Sequence, residues 1–303
     1  MSEITDNTAY MTELSEKEKA YAVSFADEID VTDRTKILHY GDEARKKVVQ
    51  FSESSLVKIP ANDLNEVDQD IRKLMKKLRE FQKEFDRTDD ISANDEKAVR
   101  KFKSIYDFFS AAMSECGRRL EIHRSSLIRH MNKMDQCTET LIRIIREYDM
   151  YIYAGKHCLA VNAKQIQDEL NRQAAEKQIA EYTMKAEDFR ESCAAFDRRL
   201  GDLSFSRSIP LQMTAQLKMM RNTDAAMADS LLTLYSDTFP LYRSRILLSL
   251  GLQESSDEKG KIIDADLFHE ANSDLMKTLS AILKIQTEGV EKQKSGLHLF
   301  ERK

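Results

Sequence analysis

The chain reads as an all-α protein, an elongated antiparallel helical bundle with long coiled-coil-like helices, and three observations carry that expectation. No proline occurs in the 149 residues between Pro60 and Pro210. The 303 residues contain 8 glycines, 3 prolines and no tryptophan, with 33% charged and 41% apolar, a balance that suits long helices better than a sandwich, barrel or doubly wound sheet. Apolar side chains recur at alternating steps of three and four through most of the proline-free stretch, the spacing that lines one helix face. Proline inside a helix costs about 3 kcal/mol and glycine about 1 kcal/mol relative to alanine, so their scarcity permits what the periodicity demands.

Residues 1–19 are polar and lack a sustained period, and they read as an acidic flexible lead. Residues 1–35 hold nine acids against three bases, a net of −6, which leaves the remainder near +1 of the total −5. So small a total argues neither for general nucleic-acid affinity nor for an acidic solvating tail. From residue 20 onward we expect one elongated helical domain: short helices over 20–59, a long helical hairpin over 62–203 and C-terminal helices over 208–294. In the first part Phe25, Ile29, Ile37, Leu38, Val48 and Phe51 are apolar, with breaks at Asp30–Asp33 and Gly41.

Asn62 or Asp63 can cap the next helix, with Glu66 in capping-box position after Asp63. From there Leu64, Val67, Ile71, Leu74, Leu78, Phe81 and Phe85 form a seam. A polar loop, Asp86–Asn94, should end it. A second seam runs from Phe102 through Tyr106, Phe109, Met113, Cys116, Leu120, His123, Leu127, His130, Met134, Cys137, Leu141, Ile144 and Tyr148 to Tyr151, about 75 Å of helix. Ile105, Phe108, Ile122, Ile142, Ile145 and Ile152 widen this stripe, so at least two partner helices should pack on it. The polar stretch Asn171–Lys177 is out of phase and reads as a turn, after which Ile179, Tyr182, Ala186, Phe189, Phe196, Leu200 and Leu203 restore the pattern. Ser208 can cap a helix with Pro210 in its first turn, and Pro240 should kink or restart the helix around it. After a polar loop, Gln253–Lys261, a last amphipathic helix carries Leu267, Phe268, Leu275, Leu279, Ile282 and Ile285.

The N-terminus lacks the positive flank and apolar stretch of a signal peptide. No apolar run approaches the roughly 18 residues of a spanning helix. The four cysteines lie far apart within helical patterns, where a disulfide framework would use loops. Together these features predict a cytoplasmic protein with reduced thiols.

Three blocks carry a resemblance: FADEIDVTDRTKILHYGDEARKKVVQFSESSLVK (25–58), LSFSRSIPLQMTAQLKMMRN (203–222) followed by FPLYRSRILLSLGL (239–252), and FHEANSDLMKTLSAILKIQTEG (268–289). In order and spacing they resemble the toxic anion resistance, or TelA-like, family associated with tellurite resistance. The chain departs from the family pattern in two main ways. Only a loop stands where a longer helical stretch usually follows Leu252, and Tyr242 replaces a usual tryptophan. The resemblance implies a bacterial cytoplasmic protein linked to tellurite resistance and to envelope stress, with no established catalytic residues.

Read for chemistry, the residues favour recognition over catalysis. Cys116, His123, His130, Cys137 and Cys158 are spaced by multiples of seven and share one helical face. Residues seven apart are separated by about 10.5 Å along the axis, too far to share a metal held at about 2.0–2.3 Å. These side chains are therefore expected in the core, with thiol or metal chemistry on tellurite as the alternative. Cys-x-x-Cys, Gly-rich phosphate loop, HExxH and Gly-x-Ser-x-Gly motifs are all missing from the sequence, so no enzyme and no cofactor is expected.

Arg72, Lys73, Lys76, Lys77 and Arg79, continued by Lys83 and Arg87, form a basic run interleaved with acids. It reads as a solvated face with i,i+4 pairs, and association with the inner face of an anionic membrane is the alternative role. Aromatic residues on this helix lie in its seam, which leaves no stacking platform for nucleic acid. A helix N-terminus at Ser208 flanked by Arg207 would offer free N–H groups to an anion or partner. Arg207, Ser208, Gln212, Arg221 and Asn222 are accordingly the candidate partner- or anion-binding residues. Met213, Met219, Met220 and Met227 either fill the core or form an adaptable surface. The function expected is that of a non-enzymatic scaffold with protein partners, compatible with a homo-oligomer, whose leading contact region is 203–252.

Overall fold

The computed structural model describes residues 14–56, 65–87, 96–250 and 264–297, and every regular element among them is helical. α1 (Glu16–Ala26) opens on a capping box, in which Ser15 Oγ accepts from the Glu18 N–H at 3.3 Å and the Glu18 carboxylate from the Ser15 N–H at 2.8 Å. The flexible lead expected over 1–19 is therefore helical from Glu16, and residues 1–13 lie outside the described residues. Asp33 caps α2 (Arg34–His39) by accepting from the Thr35 and Lys36 N–H groups. Gly41, at φ 75°, turns the chain directly into α3 (Asp42–Phe51). That left-handed conformation suits glycine, and a Cβ there would lie 2.6 Å from Leu203 Cδ2.

A π-helical turn (Ser52–Leu56) follows, and α4 (Asn65–Asp86) comes next. Its expected caps, Asn62 and Asp63, and the first seam residue, Leu64, lie outside the described residues. α5 (Glu96–Cys158) runs 63 residues and continues through a π-helical turn (Leu159–Ala163) into α6 (Lys164–Lys177). The turn expected at Asn171–Lys177 is thus helix, and the reversal falls at Gln178, φ 50°, and Ile179. α6 buries no side chain, so its polarity records solvent exposure, not a change of direction. For the same reason Ile179, expected in the seam, is 52% exposed.

α7 (Ala180–Thr233) spans 54 residues and passes through Ser208 and Pro210 unbroken, so no helix starts at Ser208. Tertiary packing overrides the local penalty here. Leu203, Ser206, Pro210, Thr214 and Leu217 keep an inward stripe in phase on both sides of the proline, and Thr214 Oγ1 donates to the Pro210 carbonyl at 2.9 Å. At Pro240 the expected restart does occur: a π-helical turn (Leu234–Thr238) precedes α8 (Phe239–Ser249), with the proline in its first turn. α9 (Ala265–Leu297) follows, and the loop expected at Gln253–Lys261 lies outside the described residues.

Where the sequence suggests one body from residue 20, contacts cluster into two units, 1–59 with 134–218 and 60–133 with 219–303, so α5 and α7 each contribute to both. In the first unit, Leu141, Ile144, Tyr148 and Ala154 of α5 and Phe196, Leu200 and Leu203 of α7 are buried with Ala22, Ala44, Val48 and Phe51. Tyr40 sits among them, edge-on to Phe196 at 4.9 Å and donating its hydroxyl to the Tyr151 carbonyl at 2.8 Å.

The second unit buries the α4 seam, Val67 to Phe81, with Tyr106 to Leu127 of α5, Met227 and Leu231 of α7, Tyr242 and Ile246 of α8, and Phe268, Leu275, Leu279 and Ile282 of α9. Phe81 stacks on Phe109 at 5.3 Å and Phe85 on Phe268 at 3.7 Å. Burying each such ring contributes on the order of 2 kcal/mol. Of the flanking residues expected to widen the α5 stripe, Phe108 and Ile122 instead face solvent, at 69% and 66% exposure.

Candidate functional site

Of the heptad ladder of α5, Cys116, His130 and Cys158 lie in the core, while His123 and Cys137 are half-buried. His130 Nδ1 lies 2.5 Å from Asp224 Oδ2 on α7, and both side chains are at least 95% buried. His123 Nε2 lies 3.4 Å from the buried Asp70 of α4, which also meets Arg119 at 2.9 Å. Buried charges need such partners. Among the described residues no three His, Cys, Asp or Glu side chains converge where a metal ion could sit. Burial pushes the Cys116 thiol up to about 12 and Cys158 up to about 11, and it also raises Cys137 and Cys193. Nucleophilic or redox-active thiols are ones whose proton leaves more easily than usual.

Three of the five candidate bases of α4 lie beside acids. Arg72 meets Asp68 at 2.7 Å, Lys73 and Lys76 lie 4.0 Å from Asp70 and Glu80, and Lys77 sits 5.1 Å over the Phe108 ring. Arg79 is exposed.

The five candidates on α7 are not brought together. Arg207 turns inward and grips Asp149 of α5 with two bonds, Nε to Oδ1 at 2.5 Å and a terminal nitrogen to Oδ2 at 3.0 Å. Ser208 donates to the Phe205 carbonyl at 2.6 Å, within its own helix. With no helix end at this point, the free N–H groups required for an anion site are absent. Gln212 and Asn222 are exposed and Arg221 is half-buried. Met227 is in the core, while Met213, Met219 and Met220 are half-buried.

What the block does present is an uncharged surface. Between Leu203 and Leu217 the one charged residue is Arg207, in a chain whose residues are one-third charged. Phe205, Ile209 and Gln212 recur at helical spacing on the outward face, with Phe205 62% and Ile209 37% exposed and Met213 and Gln216 half-buried beside them. Loss of charge with retained aromatic, aliphatic and Met side chains is the composition of an interface core. The periodicity alone missed Phe205 and Ile209, and the signal that would have found them is this gap in charge. Separately, α8 exposes Leu241 (55%) and Leu248 (47%), two turns apart.

Among the described residues no helix is long and apolar enough to cross a membrane. A family model described as toxic anion resistance protein (TelA) matches residues 22–261. The uncharacterized protein YaaN of Bacillus subtilis is 23% identical over 93% of this chain and 84% of its own length. Lmo1967 of Listeria monocytogenes, also named as uncharacterized, is 23% identical over 92% and 80%. The TelA-like protein SSP1345 of Staphylococcus saprophyticus is 23% identical over 89% and 82%. No solved structure matches.

Proposed function

Because the chain belongs to the toxic anion resistance (TelA) family, which its residues 22–261 match, we propose that it is a non-enzymatic interaction protein of a bacterial response to tellurite and cell-envelope stress. It works in the cytoplasm by holding a protein partner on the outward face of α7. The observation that carries this reading is the uncharged exposed stripe led by Phe205, Ile209 and Gln212 within the 203–222 block, one of those that carry the family resemblance. Direct thiol chemistry on tellurite receives little support, since burial raises all four thiols. Membrane attachment through α4 is likewise disfavoured by the i,i+4 pairing along its basic face.

The test is capture from the native host with wild type and with Ile209→Glu/Gln212→Glu, both on solvent-facing positions. Arg207 is unsuited to this purpose because its loss would loosen α7 from α5. The expected outcome is one or more proteins retained by wild type and depleted at least tenfold by the variant at equal helicity. An identical catalogue from both proteins would remove this face as the contact.

A further inference from the structure

Glu191, Ala194, Arg198, Gly201 and Phe205 follow one another at steps of three and four, so they share one face of α7. α2 stands beside this face. It is held there by Arg199, which donates to the Tyr40 carbonyl at 3.0 Å and to the Asp42 carboxylate at 2.5 Å, and by the close fit of Gly41 on Leu203. Between them lies an open groove of about 940 Å³, walled by Arg34, Ile37 and Leu38 and floored by Ala194, Ala195 and Gly201.

Three features of the groove have no explanation within one chain. Gly201 lies inside a long helix, where it costs about 1 kcal/mol relative to alanine, yet a Cβ there would meet nothing within 4 Å. Glu191 and Arg198 are both exposed and make no ion pair among the described residues, although they carry opposite charges two turns apart on one face. Met184 is 63% exposed and Phe205 62% exposed, one on either side of this pair.

A single operation accounts for all three. We propose that this face of α7 packs against the same face of α7 in a second copy of the chain, antiparallel, with the twofold axis passing between Ala194 and Ala195. In that register Arg198 faces Glu191 of the other copy and Glu191 faces its Arg198, while Phe205 meets Met184 at each end. The small side chains at the centre let the two helices approach to the short end of the 8–10 Å range, and Gly201 leaves room beside them. An isologous contact must be complementary to itself. The rim meets that condition, since of the three arginines lining the groove Arg199 is taken up by Asp42, and Arg34 and Arg198 are balanced by Glu191 and Asp202. One like-charge contact remains, Asp202 against Glu187 of the other copy, and it makes the register checkable. The dimer would cover Phe205 and leave Ile209 and Gln212 to the heterologous partner proposed above, and the two tests separate because the dimer requires only the purified chain.

The experiment is sedimentation equilibrium of the full chain. Wild type should show twice the 35.0 kDa mass of one chain. Arg198→Glu and Glu191→Arg, each of which sets like charges against each other twice, should weaken the dimer at least tenfold, with circular dichroism unchanged. An equimolar mixture of these two variants should recover the dimer, since every facing pair is then again of opposite charge, and Glu187→Gln should tighten it. A wild type that stays monomeric at 100 µM overturns the proposal. Single variants that keep the wild-type dimer, or a mixture that stays monomeric, overturn it equally.

Discussion

At the scale of the residue, the buried carboxylates Asp70 and Asp224 each face a basic side chain. Asp224 is fully buried against His130, and removing one member of such a pair strands the other. Asp224→Ala should therefore cost about 3 kcal/mol, read as a lower urea midpoint, and by more than any alanine substitution on the exposed face of α4. The thiols give a pH signature. Burial raises Cys116 to about 12 against 9.0 for the ordinary thiol, so the unfolded chain loses this proton first as pH rises. The stability held by the neutral buried thiol is complete below pH 9 and declines from there through pH 12. Cys158, at about 11, adds to the same decline. At pH 8 both should react with a disulfide reagent at least tenfold more slowly in the folded protein than in urea. Equal rates would return thiol chemistry to consideration.

At the scale of the element, two glycines in long helices should respond with opposite signs. In α5 a Cβ on Gly155 would run into Leu200, itself 2% exposed, and would lie 3.2 Å from the Phe196 ring. Gly155→Ala should then cost about 1–3 kcal/mol through overpacking. Gly201→Ala meets open space and should gain up to about 1 kcal/mol in the isolated chain; urea midpoints of the two variants check both signs. The same contrast between local preference and packing explains what could be read in advance. The seams of α4 and α5 were legible almost residue by residue, from Val67 to Phe81 and from Phe102 to Tyr148, because a buried stripe writes its period into the sequence. Pro240 was legible as well, since a wider turn lies just ahead of it. Ser208 with Pro210 misled because the Arg207 to Asp149 clamp and a continuous inward stripe outweigh a missing N–H. Residues 171–177 misled because an exposed helix and an exposed turn have the same composition. The pairing of His130 with Asp224 left no trace, since nothing in a local pattern links positions 94 apart. Of the five α7 candidates only Gln212 lies on the uncharged outward face, because capping chemistry was invoked at a helix end that does not exist.

At the scale of the whole molecule, neither unit is a continuous piece of chain, since each combines an early segment with a late one. The second unit depends on α9, which packs on α4 and α8 and supplies Phe268, Leu275, Leu279 and Ile282 to its core. A chain stopped after Asp264 should lose protected amides across α4 and bind a hydrophobic dye strongly, while the amides around Tyr148 and Phe196 keep their slow exchange. Equal protection throughout would show that α9 is dispensable. The order of the segments also imposes a timetable on the ribosome. Everything the first unit needs has been made once residue 218 is added, whereas α4, finished by residue 86, can pack on α5 early but waits for its other wall, α9 at 265–297. At about 5–20 residues per second that wait lasts on the order of ten to forty seconds. For that interval the side of α4 that will meet Phe268 has no partner and stays exposed on the nascent chain.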